Sequence, residues 1–274
     1  MLSKHIKYIE LKTMKLIVVN NTVFKQSILP LIELASNEKI DVPAETEFEV
    51  LAYLEMGDHL KVTFEGGSLR GRNTWIAEIK DIELIGDDSL KVIGKYKLGD
   101  KLPAKVNLPV PHFSQLDNRF QPTKTCNVTC VAMCLSYFEI HPKHRNQQLE
   151  DELFKFVENK GWDKYVHEHL RRLFIEYGVF DVFKMEATWD EVKLHLANKK
   201  PVIISGRFTP PGHIIVLRGY DEKGFWVNDP YGEFFHSGYR TDLTGENLHY
   251  SYKLLKSKSY SGSEKTWAHF PEKR

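Results

Sequence analysis

The sequence has few cysteines, no long apolar run and almost no net charge, and each shortage excludes a class of protein. Three cysteines in 274 residues, all between positions 126 and 134, cannot form the disulfide framework of a small secreted domain. Apolar runs such as residues 131–135 fall far short of the roughly 18 residues of a membrane span. The balance of 38 Lys and Arg against 37 Asp and Glu excludes a general nucleic-acid binder, which depends on a basic surplus.

The remaining composition is that of an ordinary globular protein. Hydrophobic residues make up 42% of the chain and charged residues 27%, and the length is that of about two domains. The N-terminal segment has no apolar core of signal-peptide length. We therefore expect a cytoplasmic protein with free thiols and no membrane segment, whose oligomeric state the sequence leaves open.

The first part of the chain has the pattern of short β-strands. Residues 47–54, 59–65 and 74–79 alternate between apolar and polar positions and are separated by a turn and a glycine-rich loop. No helix-length pattern lies between them, which favours a small five-stranded barrel over a sheet with crossover helices. The order of these strands resembles that of bacterial Src-homology-3-like barrels. We assign this barrel and a connector to residues 1–100.

The second part, residues 101–274, has helices first and strands afterwards. A helix that is apolar on nearly every face is predicted near its start, and a Thr188–Glu191 capping box predicts the beginning of a later helix. The pattern therefore predicts an α+β domain. The predicted helices are 126–138, 147–159, 162–177 and 189–197, and the predicted strands are 202–207, 213–220, 224–228 and 266–270.

Cys126 is the candidate nucleophile. It follows the turn-prone segment QPTKT and opens the apolar helix, so a cap from Thr125 or Thr123 would leave the first-turn amides directed at its sulfur. Cys130 and Cys134 lie inside the same helix, where burial raises a thiol pKa and makes the group inert. Cysteines spaced four apart on one helix face do not converge on a zinc ion, so we expect no metal and no other cofactor.

Three further residues are placed to complete a catalytic set. His213 begins an apolar strand, and Asp229 ends the next one after the four-residue turn DEKG. Antiparallel pairing brings the two to one edge of the sheet, where a carboxylate can orient an imidazole. Gln115, in the loop VPHFSQLDN, is the candidate oxyanion donor, because its side-chain amide can be directed at the same point as the backbone N–H of Cys126.

Each of these residues has an ordinary structural role when it is considered alone. A buried thiol, a core histidine, an Asp-Pro turn and a solvated glutamine are all common, and only their combination indicates catalysis. Asn127, Gly212 and Trp226 are the expected substrate-binding residues, although Trp226, like Trp75 and Trp189, also fits a core position. Four other histidines are expected to be solvated side chains on helices or loops, namely His141, His144, His167 and His169.

Four segments in order carry a family resemblance across roughly residues 106–270. They are VPHFSQLDN, TCNVTCVAMCLSYFEI, NKKPVIISGRF and GHIIVLRGYDEKGFWVNDPYG. Together they resemble the stand-alone form of the bacteriocin-leader-processing (double-glycine) type of papain-like cysteine peptidase. The resemblance implies a papain-like fold, with a helical lobe and an antiparallel sheet. It also implies Cys126 as nucleophile, His213 as general base, Asp229 as its orienting residue and Gln115 as oxyanion donor.

The sequence departs from that family directly after the nucleophile. Many relatives have Gly and Pro there, whereas this chain has Asn127 and Val128, which bears on the shape of the substrate pocket. We expect a cysteine peptidase that acts on a peptide or protein through an acyl-enzyme. The alternatives are a peptidoglycan-cleaving lysis enzyme with a wall-binding barrel, and a non-hydrolytic binding protein or acyl transferase on the same fold.

Overall fold

The computed structural model describes residues 14–56, 58–65, 69–85, 96, 99–144 and 146–273. Their contacts divide the chain into two compact units, with the division between residues 93 and 94. Each unit has its own sheet and its own buried core. Within the described ranges, no helix combines the length and the apolar character that a membrane crossing requires.

The first unit is an antiparallel sheet of seven strands. The predicted strands at 47–54, 59–65 and 74–79 are present as neighbours, and the described residues contain four more, where we expected five strands in all. The order across the sheet is β3-β2-β6-β5-β4-β1-β7. The strands are β1 (Met14–Val18), β2 (Thr22–Lys25), β3 (Lys39–Val42), β4 (Glu47–Met56), β5 (His59–Phe64), β6 (Thr74–Glu78) and β7 (Ile82–Ile85).

Aromatic side chains form the centre of this unit. The ring of Phe64 stacks on Phe48, with 4.3 Å between centroids, and on Phe24 at 6.0 Å. Trp75 is 1% exposed and belongs to the same core as Leu16. Alternation along the strands places these residues on one face, which is the apolar face that the sequence predicts.

The second unit contains five helices and nine strands among its described residues. The helices are α1 (Cys126–Tyr137), α2 (Leu149–Asn159), α3 (His167–Glu176), α4 (Trp189–Ala197) and α5 (Tyr252–Lys258). The strands are β8 (Val106–Asn107), β9 (Phe183–Thr188), β10 (Val202–Gly206), β11 (His213–Tyr220), β12 (Gly224–Asn228), β13 (Glu233–Phe235), β14 (Gly238–Arg240), β15 (Leu248–Ser251) and β16 (Lys265–His269).

Most strands of the second unit form one antiparallel sheet in the order β15-β12-β11-β10-β16-β9. Strand β8 pairs with β11, and β13 and β14 form a separate hairpin. Helix α1 packs against β11 and α2, and every residue from 127 to 135 is buried. The helical layer over an antiparallel sheet confirms the predicted α+β class.

Two local predictions for the second unit have different outcomes. The capping box is present, because the Thr188 hydroxyl accepts from the Glu191 amide while the Glu191 carboxylate accepts from Thr188. The helix predicted over 162–177 is wrong in its first turn and begins at His167. The reason is Asp163, whose carboxylate accepts from the Tyr165 amide at 2.8 Å and holds a turn there.

Candidate active site

Cys126 is the first residue of α1 and is partly exposed. The predicted threonine cap is wrong. Thr125 occupies the N-cap position, but its hydroxyl donates to the Gln121 carbonyl at 3.2 Å and accepts from Asn118 Nδ2 at 2.9 Å. The N-cap side chain therefore makes no bond to the first-turn amides, and the positive end of the helix dipole lies beside the sulfur.

The other two cysteines are structural, as predicted. Cys130 and Cys134 are both fully buried, and burial raises the pKa of each thiol well above its ordinary value. The Cys130 thiol also donates to the carbonyl of Ile214 at 3.2 Å, which ties α1 to strand β11. Neither thiol is in a state to act as a nucleophile at neutral pH.

The hairpin of β11 and β12 brings His213 and Asp229 together. His213 is the first residue of β11, and Asp229 follows the last residue of β12. The turn between the strands is fixed by the Asp221 carboxylate, which accepts from the amides of Lys223 and Gly224. At the open end of the hairpin, His213 Nε2 donates to Asp229 Oδ1 at 2.8 Å.

Asp229 is fully buried, and each of its oxygens has two donors. Besides His213, Oδ1 accepts from the amide of Tyr231 at 3.0 Å. Oδ2 accepts from the hydroxyls of Tyr239 at 2.9 Å and Tyr250 at 3.3 Å. Burial and the charge of Asp229 raise the pKa of both tyrosines, so they act as donors. Neither tyrosine is predicted as a site residue from the sequence.

The environment of His213 favours its protonated form. Burial alone would lower the pKa of this imidazole, but the negative charges of Asp229 and Cys126 and hydrogen bonds to both raise it to about 10. Asp229 occupies Nε2, so the nitrogen left for the Cys126 interaction is Nδ1. The ring of Tyr239 packs edge-on against the imidazole with 5.3 Å between centroids.

Gln115 lies in the same cleft as Cys126, as the sequence predicts. It begins a short 3-10 helix (Gln115–Asp117) and is 2% exposed. Its side-chain Nε2 donates one hydrogen bond to the Pro122 carbonyl at 2.9 Å. This bond fixes the amide, and the second hydrogen on Nε2 is left to donate to a ligand. The backbone amide donates to the Pro230 carbonyl at 2.8 Å and so ties this loop to the segment after Asp229.

The cleft has a volume of about 790 Å³ and contains two of the three predicted substrate-binding residues. Asn127 lines it, with its amide donating to the Lys164 carbonyl at 2.7 Å. Gly212 also lines it with a φ of +95°, and a Cβ there would lie 2.2 Å from the Tyr260 hydroxyl. A glycine is therefore required immediately before His213.

Trp226, the third residue predicted to bind substrate, does not line the cleft. Side chains alternate along β12, so Trp226 points away from the face that buries Phe225 and Val227. Its ring packs edge-on against His249 at 4.8 Å, and Lys105 Nζ lies 5.4 Å from the ring centroid.

His167 also differs from its prediction. It is partly buried, lines the cleft and has Nδ1 2.9 Å from His269 Nε2, so it is not the solvated group that we expected. In the part of the chain that the structure describes, no cluster of three or more His, Cys, Asp or Glu side chains could hold a metal ion.

Comparison with known families decides the class of this site. The model of the Peptidase_C39 like family matches residues 107–260, which is more than half of the chain and includes Cys126, His213 and Asp229. The chain belongs to this family. It is therefore a C39-like cysteine peptidase, and the matched residues lie entirely in the second unit.

Two solved structures are similar to this C39-like peptidase. One is a double glycine motif protease from an AMS/PCAT transporter in complex with the leader peptide, with 16% identity, a TM-score of 0.41 and coverage of 62% of this chain and 95% of that one. The other is a Bacillus anthracis protein assigned as a C39-like peptidase, with 20% identity, a TM-score of 0.41 and coverage of 63% and 99%. A search of curated proteins finds no match.

Proposed function

We propose that this C39-like peptidase cleaves peptide bonds through an acyl-enzyme on Cys126, with His213, Asp229 and Gln115 as its partners. The observation that carries the proposal is the position of His213, whose ring interacts with the Cys126 thiol on one side and donates to the fully buried Asp229 on the other. A protonated imidazole beside a thiol at a helix N-terminus is the arrangement that supports a nucleophilic thiolate.

The proposed reaction proceeds in two halves. The Cys126 thiolate attacks the scissile carbonyl carbon, and the resulting oxyanion accepts from the Gln115 side-chain amide and the Cys126 backbone amide. His213 then gives its proton to the leaving amine as the C–N bond breaks, which leaves a thioester on Cys126. Water attacks the thioester while His213 takes its proton, and the carboxylic acid product departs with the thiolate restored. Asp229 orients the imidazole throughout.

The proposed substrate is a peptide. A cleft of about 790 Å³ is large enough for several residues of an extended chain, and the double-glycine protease with a similar fold is described in complex with a leader peptide. The cleft is lined by Lys124 and Lys164 and by no Asp or Glu among the described residues, so it does not repel an acidic peptide. Peptides that cross-link peptidoglycan are included in the test below.

We further propose that residues 1–100 form a separate, Src-homology-3-like barrel with a connector and that residues 101–274 form the catalytic domain. Support comes from the antiparallel sheet of the first unit and from its own aromatic core, which includes Phe24, Phe64 and Trp75. A unit with its own buried core is expected to fold without its neighbour.

The test of the proposed function is a peptide library digested by the full-length protein and analysed by mass spectrometry. The library includes double-glycine peptides and peptidoglycan cross-link peptides. The proposal predicts cleavage by the natural protein and no cleavage by Cys126→Ala. Cys130→Ser is the matched control, because a buried serine can keep the bond to the Ile214 carbonyl, and it retains cleavage. Equal cleavage by Cys126→Ala would contradict the proposal.

A further inference from the structure

A second chain of buried hydrogen bonds reaches the cleft, and the reaction proposed above does not use it. Asp181 is fully buried and its Oδ2 lies 2.6 Å from Nδ1 of His269, which is 1% exposed. Nε2 of His269 in turn lies 2.9 Å from Nδ1 of His167. His167 begins α3, His269 ends β16 and Asp181 precedes β9, so three separate segments form this chain.

The order of donors and acceptors in this chain depends on its buried end and on whether His269 carries one hydrogen or two. An ionised Asp181 only accepts, so His269 must donate from Nδ1. When His269 is neutral, its Nε2 accepts and His167 donates from Nδ1, which leaves Nε2 of His167 as an acceptor. Burial, together with repulsion whenever His269 is charged, lowers the pKa of His167 to about 3, so the ring of His167 is itself neutral.

The surroundings of His167 leave this Nε2 edge for the cleft. One face of the ring stacks on Phe183, with 4.3 Å between centroids and an angle of 2° between the planes. Nδ1 is occupied by His269, and Trp267 packs edge-on at 5.3 Å. Because His167 lines the cleft, its ring presents an immobilised nitrogen there, which is a hydrogen-bond acceptor when His269 is neutral.

The walls around this acceptor are largely apolar. Ile214, Ser205 and Trp267 are direct neighbours across β11, β10 and β16, so their side chains share one face of the sheet. Leu170 lies one turn along α3 from His167, and all of these residues line the cleft. The Ser205 hydroxyl is already engaged by Tyr260. We call this region the His167 subsite, formed by His167, Leu170, Ser205, Ile214 and Trp267.

We propose that His167 is a specificity-determining residue and that its subsite selects a peptide side chain with an apolar body and a hydroxyl donor, such as threonine or tyrosine. Asp181 and His269 are positioning residues that fix the tautomer of His167. A cationic side chain is disfavoured because no carboxylate of the described residues lines the cleft to compensate its desolvation. The inference rests on the proposed peptidase reaction.

The first measurement uses matched peptide pairs that differ by one hydroxyl. A cleaved peptide from the library is varied one position at a time as Thr against Val and Tyr against Phe. The natural protein is expected to prefer the hydroxyl member at one position by up to about tenfold in kcat/KM, the effect of one hydrogen bond. His167→Phe abolishes this ratio, whereas His167→Gln, which keeps an acceptor, restores part of it.

The second measurement does not require catalysis. It reports which nitrogen of His167 carries the hydrogen, a property that a merely structural role of His167 would not determine. Nitrogen-15 NMR of the resting protein is expected to show an unprotonated Nε2 on His167. Asp181→Asn can donate to His269 and so reverse the chain, which would protonate that nitrogen and remove the Thr-over-Val preference.

The outcomes distinguish this inference from the proposed function. Cleavage with equal rates for every matched pair overturns the inference and leaves the peptidase reaction intact, and a protonated His167 Nε2 in the natural protein overturns it as well. If no peptide is cleaved, the proposed function fails, and the NMR result alone decides the tautomer on which the inference depends.

Discussion

The Tyr239 hydroxyl donates to Asp229 Oδ2 at 2.9 Å, while His213 donates to Oδ1 of the same carboxylate at 2.8 Å. The two bonds hold the carboxylate from both sides, so its rotation about the side-chain bond is restricted. Tyr239 lies on the short strand β14, and its ring also packs against the His213 imidazole. In the proposed reaction, Tyr239 has no chemical role of its own, and we expect it to determine how well the imidazole is oriented.

Replacement of Tyr239 by Phe is expected to lower kcat about tenfold with little change in KM. The substitution keeps the ring that packs on His213 and removes only the hydroxyl, a hydrogen bond to a charged group that stabilises by about 1.5–3 kcal/mol. Steady-state kinetics on a library substrate measure the effect. Tyr137→Phe, which loses a bond to the remote Lys199 carbonyl, is the control. An unchanged kcat in Tyr239→Phe would show that this bond does not orient the carboxylate.

Gln115→Ala is expected to lower kcat by about 10² to 10³, the cost of losing one oxyanion donor. The change also removes the bond to the Pro122 carbonyl, worth about 1 kcal/mol of stability, so circular dichroism must show a folded protein. Single-turnover acylation is the appropriate measurement, because the donor acts while the tetrahedral intermediate forms. A decrease of less than threefold would exclude Gln115 from this role.

Gly245→Ala is expected to destabilise the second unit and to abolish peptidase activity. A Cβ at this position would lie 1.8 Å from the Asp229 carbonyl oxygen, so the segment that carries the carboxylate must move. Gly262→Ala is the control, since an added Cβ there meets no atom within 4 Å and only the φ of +82° is unfavourable. Thermal unfolding should show a lower midpoint for Gly245→Ala, and equal midpoints would contradict the packing argument.

Trp75→Ala tests whether the two units fold independently. Loss of this buried ring should destabilise the first unit by about 3–5 kcal/mol and leave peptide cleavage by the second unit unchanged. Leu153→Ala, at a fully buried position in α2, should have the opposite effect. Differential scanning calorimetry separates the two transitions. If both variants shift a single common transition, the chain folds as one cooperative block.

The positions of His213 and Asp229 follow from local features of the sequence. Three residues connect the two strands, and the antiparallel pairing, which continues across a bulge between Leu217 and Gly219, brings His213 and Asp229 to the open end of the hairpin. Strands β11 and β12 have the predicted bounds for this reason. The burial of Cys130 and Cys134 follows just as directly from an apolar helix.

The buried hydrogen bonds of His167, His269 and Asp181 join residues that are far apart in the sequence. Asp181 and His269 are 88 positions apart, and His167 is 102 positions from His269. Their contact depends on β16 lying between β10 and β9, an order that no periodicity encodes. Tyr239 lies on a three-residue strand, too short to give an alternation pattern. Such side chains show no local signal that distinguishes them from solvated groups.

The proposed thiolate–imidazolium pair of Cys126 and His213 is tested by the rate at which iodoacetamide alkylates each cysteine between pH 5 and 9. Because the pKa of His213 is raised to about 10, its imidazolium persists across this range, and Cys126 alone should react rapidly even at pH 6. His213→Ala should slow that reaction at pH 6 by about 100-fold, since an ordinary thiol with a pKa of about 8.5 is almost fully protonated there. If Cys126 in the natural protein reacts no faster than Cys130 and Cys134, the thiolate–imidazolium pair does not exist and the proposed mechanism is wrong.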